Sequence, residues 1–351
     1  MQFSVVSTLM PRTTRLSDTR YRFAIVAAAV VVLGCAFAGL IAASVLAAAV
    51  SVPVIYLVYL YDVNAWEDAP VAIVAAVVGV TAVIAAVITV LLFRVVFEEK
   101  LAELTNSRMP DLGISNLSAG SLLLFAVVIP LLTLALMSIV PLVLARTPRF
   151  DDMIDGFTLG VAAGVSYAAA ETIVLFASVF SGEVRTTDGL GTWFPVVVNL
   201  MVGKSLIYGT ACALAIAAFS GRGDGYDGFT RHFAKNFAFG ALALIAYWMG
   251  LYLFAYANFG QGIALLWALV IVAVLAIRAR VVLHTAIIEA AIEDAARGRI
   301  DRHTGSLAYC GECEMPLVPD AMFCLYCGQS VRAVPRASGA ATAGGGEGRP
   351  S

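Results

Sequence analysis

Charged side chains are scarce in this chain. Asp, Glu, Lys and Arg together make up 13% of its 351 residues, against roughly 25% in an average soluble domain. Hydrophobic residues make up 61%, and the mean hydropathy is +0.90. This composition excludes an ordinary soluble domain and predicts an integral membrane protein in contact with membrane lipid. The net charge is only −2, and no basic patch is interleaved with aromatic residues, so we expect no nucleic-acid partner.

Histidine and signal-peptide features are also lacking. Histidine occurs only at His232, His284 and His303, and none of the three lies within a predicted membrane span. No cleaved signal peptide is expected, because the basic segment 1–22 runs into an apolar stretch far longer than a signal h-region. The membrane region therefore offers no histidine as a metal ligand.

The apolar residues fall into segments long enough to cross a bilayer as helices, which need about 20 residues each. The stretch 23–61 is too long for one span, so the sequence predicts two helices there with a tight turn near Gly39 to Ala43. The predicted spans are about 23–42, 44–61, 70–93, 119–145, 156–180, 194–219, 236–258 and 260–277. The expected fold is an all-α polytopic membrane protein with about eight transmembrane helices and a small C-terminal zinc ribbon.

An even number of spans puts both termini on one side of the membrane. That side carries most of the arginine and lysine of the connecting segments, so the positive-inside rule makes it cytoplasmic. We expect a multi-pass protein of the cell (inner) membrane. The predicted divisions are an N-terminal segment 1–22, a transmembrane domain 23–277, a helical linker 278–304, a zinc ribbon 305–332 and a disordered tail 333–351.

The segment from Asp155 to Phe180 carries a carboxylate, Glu171, well inside a predicted span. An ionisable group at that depth costs a few kcal/mol and therefore suggests function. Lys204 lies in the next span, and a rise of 1.5 Å per residue puts the two within about one and a half turns in depth. We predict that Glu171 and Lys204 face each other as a neutralising pair. The pair is either a proton or ion site, or a structural pair that fixes the register of two helices.

Three glycines in the same span, Gly156, Gly160 and Gly164, recur every four residues. This spacing leaves one helix face without side chains, so we expect a neighbouring helix to pack closely against it. Asp155 directly precedes the predicted span and is a candidate N-terminal cap.

Two Cys-x-x-Cys pairs lie near the C-terminus, Cys310 with Cys313 and Cys324 with Cys327. Four thiolates at this spacing suit one tetrahedral zinc ion with no position open for water, which is a structural site. A cytoplasmic location would keep the thiols reduced; the competing interpretation is two disulfides. The segment resembles the zinc-ribbon modules at the ends of many bacterial proteins. That resemblance implies contact with another membrane or cytoplasmic protein rather than catalysis.

The membrane region, about 50–255, resembles the PrsW-type intramembrane metalloproteases. The matching segments are PVIYLVYLYD from Pro53 to Asp62, and FDDMIDG from Phe150 followed by Gly160, Gly164, Tyr167 and Glu171. The resemblance implies a polytopic protease that cuts other membrane proteins, with a metal held by glutamates and histidines inside the bilayer. It makes Glu171 the candidate catalytic residue.

The expected metal ligands are missing from this sequence. Where the family has a Pro-x-x-Glu-Glu-x-x-Lys element, Pro130 is followed by apolar residues and Thr133. The positions of the family's two later histidines fall near Met201 and on Met249, and Thr172 replaces an asparagine. A catalytic zinc needs about three protein ligands and an open position for water.

Three functions remain open at this point. The first is a non-catalytic, partner-binding or regulatory member of the family with a structural zinc ribbon, and this is the interpretation we favour. The second is an active intramembrane zinc protease with ligands not yet assigned. The third is a carrier or channel that uses Glu171, Lys204 and Asn199 as its site within the membrane.

Overall fold

In the computed structural model, the residues described are 18–63, 71–96, 119–147, 150, 153–177, 190–220, 231–257 and 259–296. All regular secondary structure within these ranges is helical. The elements are α1 (Asp18–Phe37), α2 (Ile41–Val63), α3 (Val71–Val96), α4 (Ala119–Leu123), π1 (Leu124–Val128), α5 (Ile129–Leu144), α6 (Met153–Leu175), α7 (Leu190–Val198), π2 (Asn199–Lys204), α8 (Ser205–Ala217), α9 (Arg231–Tyr256) and α10 (Gln261–Ala296). Helices suit a bilayer because they satisfy their backbone hydrogen bonds internally.

The two π segments each lie within a longer helix, so these elements form eight continuous helical rods in the described ranges. Seven rods contain an apolar window long enough to cross a membrane, as in a multi-pass membrane protein. The first rod is the exception, because its apolar part is the shorter segment Phe23–Phe37. The prediction of an all-α membrane fold is thus confirmed, with seven or eight spans.

The predicted division of the stretch 23–61 into two helices is observed, with the break at residues 38–40. Gly39 has a φ of 74°, a left-handed conformation that glycine adopts at little cost. The hydroxyl of Ser44 donates a hydrogen bond of 2.9 Å to the carbonyl of Val32, which ties α1 to α2. The two helices therefore form a tight hairpin.

Several predicted boundaries differ from those in the structure. Helix α6 begins at Met153, so Asp155 lies inside its first turn rather than before it; an acidic residue there still interacts favourably with the helix dipole. Helix α10 continues without a break from Gln261 to Ala296, so the last span and the beginning of the predicted linker form one helix. Residues 178–180 of the predicted fifth span lie outside the described residues.

Helices α6 and α8 form the centre of the bundle. In the α6 span 72% of the residues are buried, and in the span made by α7, π2 and α8 the share is 83%, whereas the other five spans are 28–50% buried. The outer helices instead expose large apolar side chains such as Val83, Val143 and Leu266. This arrangement places any polar group of α6 or α8 away from lipid.

The π1 turn has a local cause in the sequence. Pro130 follows it within the first turn of α5, and a proline lacks the N–H that would bond four residues back, while its ring crowds that carbonyl. A widened turn immediately before the proline relieves this crowding. The helix continues across the proline instead of ending there.

Candidate functional site

The three glycines of α6 bring it close to α8, as the sequence predicted. A Cβ added to Gly160 would lie 2.6 Å from the Cα of Ala213. At Gly164 an added Cβ would overlap the backbone of Tyr208, and at Gly156 it would overlap the side chain of Ser220. The two helix backbones are therefore in near contact at Gly160 and Gly164, and side chains at the edges of this contact meet each other.

Glu171 and Lys204 meet at one edge of this contact. The Nζ atom of Lys204 lies 2.9 Å from Oε2 of Glu171, and the two residues are only 5% and 6% exposed. The Lys204 ammonium also donates a hydrogen bond of 2.9 Å to Oγ1 of Thr172, the residue after Glu171. The structure thus brings together the two charges that the sequence analysis paired across different helices.

The contact between the charges is an electrostatic one. Nζ lies 2.9 Å from Oε2, and among the described residues no other group donates a hydrogen bond to this buried oxygen. The pair is therefore held by charge attraction in a low-dielectric interior, where attraction between opposite charges is stronger than in water. Removing either partner would leave the other charge buried and uncompensated.

Aromatic side chains surround the pair. Lys204 Nζ lies 5.5 Å from the ring centroid of Tyr208, a cation–π distance. The Tyr208 hydroxyl lies beside the Glu171 carboxylate and accepts a hydrogen bond of 3.1 Å from the indole N–H of Trp248 on α9. The ring of Tyr167 packs against that of Tyr208 with centroids 6.3 Å apart. The charges are thereby shielded from lipid by rings.

The π2 turn positions two of the polar groups. It begins at Asn199 and ends at Lys204, and the i→i+5 hydrogen bonding of a π turn brings residues five apart onto nearly the same face. The Asn199 amide donates to the hydroxyl of Tyr247 on α9 at 3.3 Å. Gly203 leaves room for this amide, because an added Cβ would overlap Asn199 Oδ1. Such π turns occur frequently at functional sites.

Part of this polar cluster was not identified from the sequence. Tyr208 lies four residues after Lys204, and Tyr167 lies four residues before Glu171, a spacing that places each tyrosine on the face of the charge it accompanies. The sequence therefore contained a signal for the positions of Tyr208 and Tyr167. Tyr247 and Trp248 carried no comparable signal, because their place in the cluster depends on how α9 packs against α8.

The structure describes some of the candidate metal-ligand positions but not the four cysteines. Among the described residues no group of three His, Cys, Asp or Glu side chains is close enough to hold a metal ion. Met201 lies in π2, and Met249 lies in α9. The predicted zinc ligands, Cys310, Cys313, Cys324 and Cys327, lie outside the described residues, as do the segments 305–332 and 333–351.

Comparison with protein-family models, with curated proteins and with solved structures gives no match. The geometry of the polar cluster therefore carries the functional argument.

Proposed function

We propose that this protein is a non-catalytic, PrsW-like membrane protein that acts by binding other proteins. The observation that carries the proposal is the buried ammonium of Lys204, 2.9 Å from the Glu171 carboxylate. A catalytic divalent metal needs anionic or neutral ligands around it. An ammonium at this distance repels such a metal and already neutralises the carboxylate. In this proposal the ion pair supplies the charge balance that a metal supplies in active proteases.

The proposed contact module is the zinc ribbon at 305–332. Zinc held by Cys310, Cys313, Cys324 and Cys327 would supply the folding energy that so short a segment lacks from its own core. A site closed by four thiolates has no open position for substrate or water. Its role would be to present a surface to a membrane or cytoplasmic partner.

The zinc-to-protein ratio tests this proposal. We expect one zinc per chain in the full-length protein and none after truncation behind Arg302. The matched control is the full-length Cys310→Ser, Cys313→Ser variant, which should also lack zinc while its membrane domain remains folded. A second zinc that survives truncation would contradict the proposal. Metal-dependent cleavage of a membrane substrate, abolished by Glu171→Ala, would establish the protease interpretation instead.

A carrier or channel is the second candidate, and one observation favours it. The buried pair of Glu171 and Lys204 belongs to one polar cluster with Asn199 and Tyr247, whose side chains are hydrogen-bonded to each other. Proton or ion flux across liposomes, measured with a pH-sensitive or ion-sensitive dye, tests this candidate. Flux that is present in the native protein and lost in Lys204→Leu would make a carrier or channel the favoured function.

A further inference from the structure

A second cationic side chain within an apolar span, Arg278 of α10, differs from Lys204 in its surroundings. The apolar window of this helix runs from Gln261 to Leu283. Arg278 is five residues from its end, which at 1.5 Å per residue is about 7.5 Å inside the span. The side chain is half-buried. At this depth an arginine reaches the boundary between hydrocarbon and headgroups.

The partners of Arg278 are neutral. Its Nη2 donates a hydrogen bond to Oδ1 of Asn236 on α9, and its Cζ lies 6.0 Å from the ring centroid of Phe239. The buried Nε–H has no hydrogen-bond partner among the residues that the structure describes. Within the described part of the chain no carboxylate pairs with Arg278. The guanidinium is thus oriented by α9 but not neutralised by it.

The surface around Arg278 has the composition of a lipid contact. Val274, Ile277 and Val281 lie within one turn of it on α10, and each is about half exposed. On α9, Phe237 is also exposed. Lys235, the residue before the Asn236 that Arg278 contacts, is also exposed. An apolar stripe therefore ends at two cationic groups.

We propose that this surface between α9 and α10 binds one anionic phospholipid. The phosphate accepts hydrogen bonds from Arg278, whose planar guanidinium suits phosphate oxygens, and Lys235 adds a second positive charge. An acyl chain lies along Val274, Ile277 and Val281. The lipid supplies a negative charge that the described residues do not provide to Arg278, and basic sites between transmembrane helices commonly bind anionic headgroups.

Native mass spectrometry of the full chain in detergent tests this proposal. Dioleoyl phosphatidylglycerol and dioleoyl phosphatidylcholine, which share their acyl chains, are titrated separately, and the Kd of the first bound lipid is measured. We expect tighter binding of phosphatidylglycerol, and a Kd raised about fivefold for that lipid alone in Arg278→Met, the factor expected for one basic residue near an anionic headgroup. Arg278→Lys should retain part of the preference.

The matched control is Arg280→Met, which removes the same charge from a different face of α10 and should leave the preference largely intact. Should Arg278→Met not fold, Lys235→Gln provides the second variant, with a smaller loss in the same direction. Equal preference for phosphatidylglycerol in the native protein and in Arg278→Met, or in Lys235→Gln where Arg278→Met does not fold, would overturn the proposal. Displacement of the lipid by millimolar inorganic phosphate would also overturn it, by showing a phosphate site without acyl-chain recognition.

Discussion

Lys204 and Arg278 are both cationic side chains inside apolar spans, yet they are compensated in different ways. Lys204 is 5% exposed, and it contacts a carboxylate at 2.9 Å, a threonine hydroxyl and a tyrosine ring. Arg278 is half-buried, and its contacts are an asparagine amide and a phenylalanine ring. Lys204 has its counter-charge within the protein, whereas no carboxylate among the described residues pairs with Arg278.

Depth explains this difference. Lys204 lies eleven residues from Trp193 and thirteen from Ala217 in its span, which is near the middle of a hydrocarbon core about 30 Å thick. A charge there must be paired within the protein or lose its proton. Arg278 is close enough to the end of its span to reach groups outside the hydrocarbon. The comparison teaches that a charged residue in a span has to be interpreted together with its depth.

The largest loss of stability is expected from breaking the ion pair of Glu171 and Lys204, called the deep pair below. Lys204→Met leaves Glu171 buried without compensation, so the free energy of unfolding should fall by about 3–5 kcal/mol. The double variant Glu171→Gln, Lys204→Met removes both charges and should recover most of this loss. Reversible unfolding in mixed micelles measures the free energy of unfolding of the native protein, the single variant and the double variant. Equal stability of the single and the double variant would show that the pair is not coupled.

A smaller effect is expected from the glycine contact that holds the deep pair together. Gly160→Ala places a methyl group against the α8 backbone at Ala213, and overpacking of this kind costs about 1–3 kcal/mol. The control is Gly79→Ala on α3, where nothing lies within 4 Å of an added Cβ. That change should be neutral or stabilise by up to about 1 kcal/mol, because alanine favours helix over glycine.

The free energy of unfolding of Gly160→Ala and of Gly79→Ala is measured as for Lys204→Met. A loss of stability in both variants, or in neither, would contradict this assignment of the close contact. The two glycines are matched in substitution and in helical position, and they differ in whether another helix approaches them.

The deep pair could be predicted from the sequence because its determinants are local. Glu171 and Lys204 are isolated charges in consecutive spans, and depth follows from counting residues. The glycine face followed from a repeat of four. The positions of Tyr247 and Trp248 could not be predicted, since they depend on the packing of α9 against the other helices. The π2 turn also left no recognisable pattern, although it determines where Asn199 and Lys204 point.

Among the helix boundaries, too, some could be predicted from the sequence and others could not. Gly39 marked a turn that the structure contains, because a left-handed residue is a local requirement. The start of α6 at Met153 was missed, and the helix predicted from residue 278 is continuous with the last span in α10, because polar residues at the end of a span do not stop a helix. Composition identifies the apolar part of a helix and not its ends.

Removing Arg278 should reduce the free energy of unfolding by less than removing Lys204. Arg278→Met leaves an unpaired amide oxygen on Asn236 rather than an unpaired charge, so we expect a loss of about 1–2 kcal/mol in detergent without anionic lipid. The double variant Asn236→Leu, Arg278→Met removes the orphaned acceptor and should recover part of this loss. A loss as large as that of Lys204→Met would erase the distinction between the two cations.

The smallest effect is expected at a neutral contact beside the deep pair. Gly203→Ala places a methyl group where the Asn199 amide lies, so the hydrogen bond between Asn199 and Tyr247 should be lost at a cost of about 0.5–1.5 kcal/mol. In an Asn199→Ala background the same change should cost less, because no amide remains to be displaced, and a double-mutant cycle measures this coupling. Additive losses would instead indicate that the methyl group acts through Ala268, 3.0 Å from the added Cβ. Coupling would show that Gly203 leaves the space that the Asn199 amide occupies in the π2 turn.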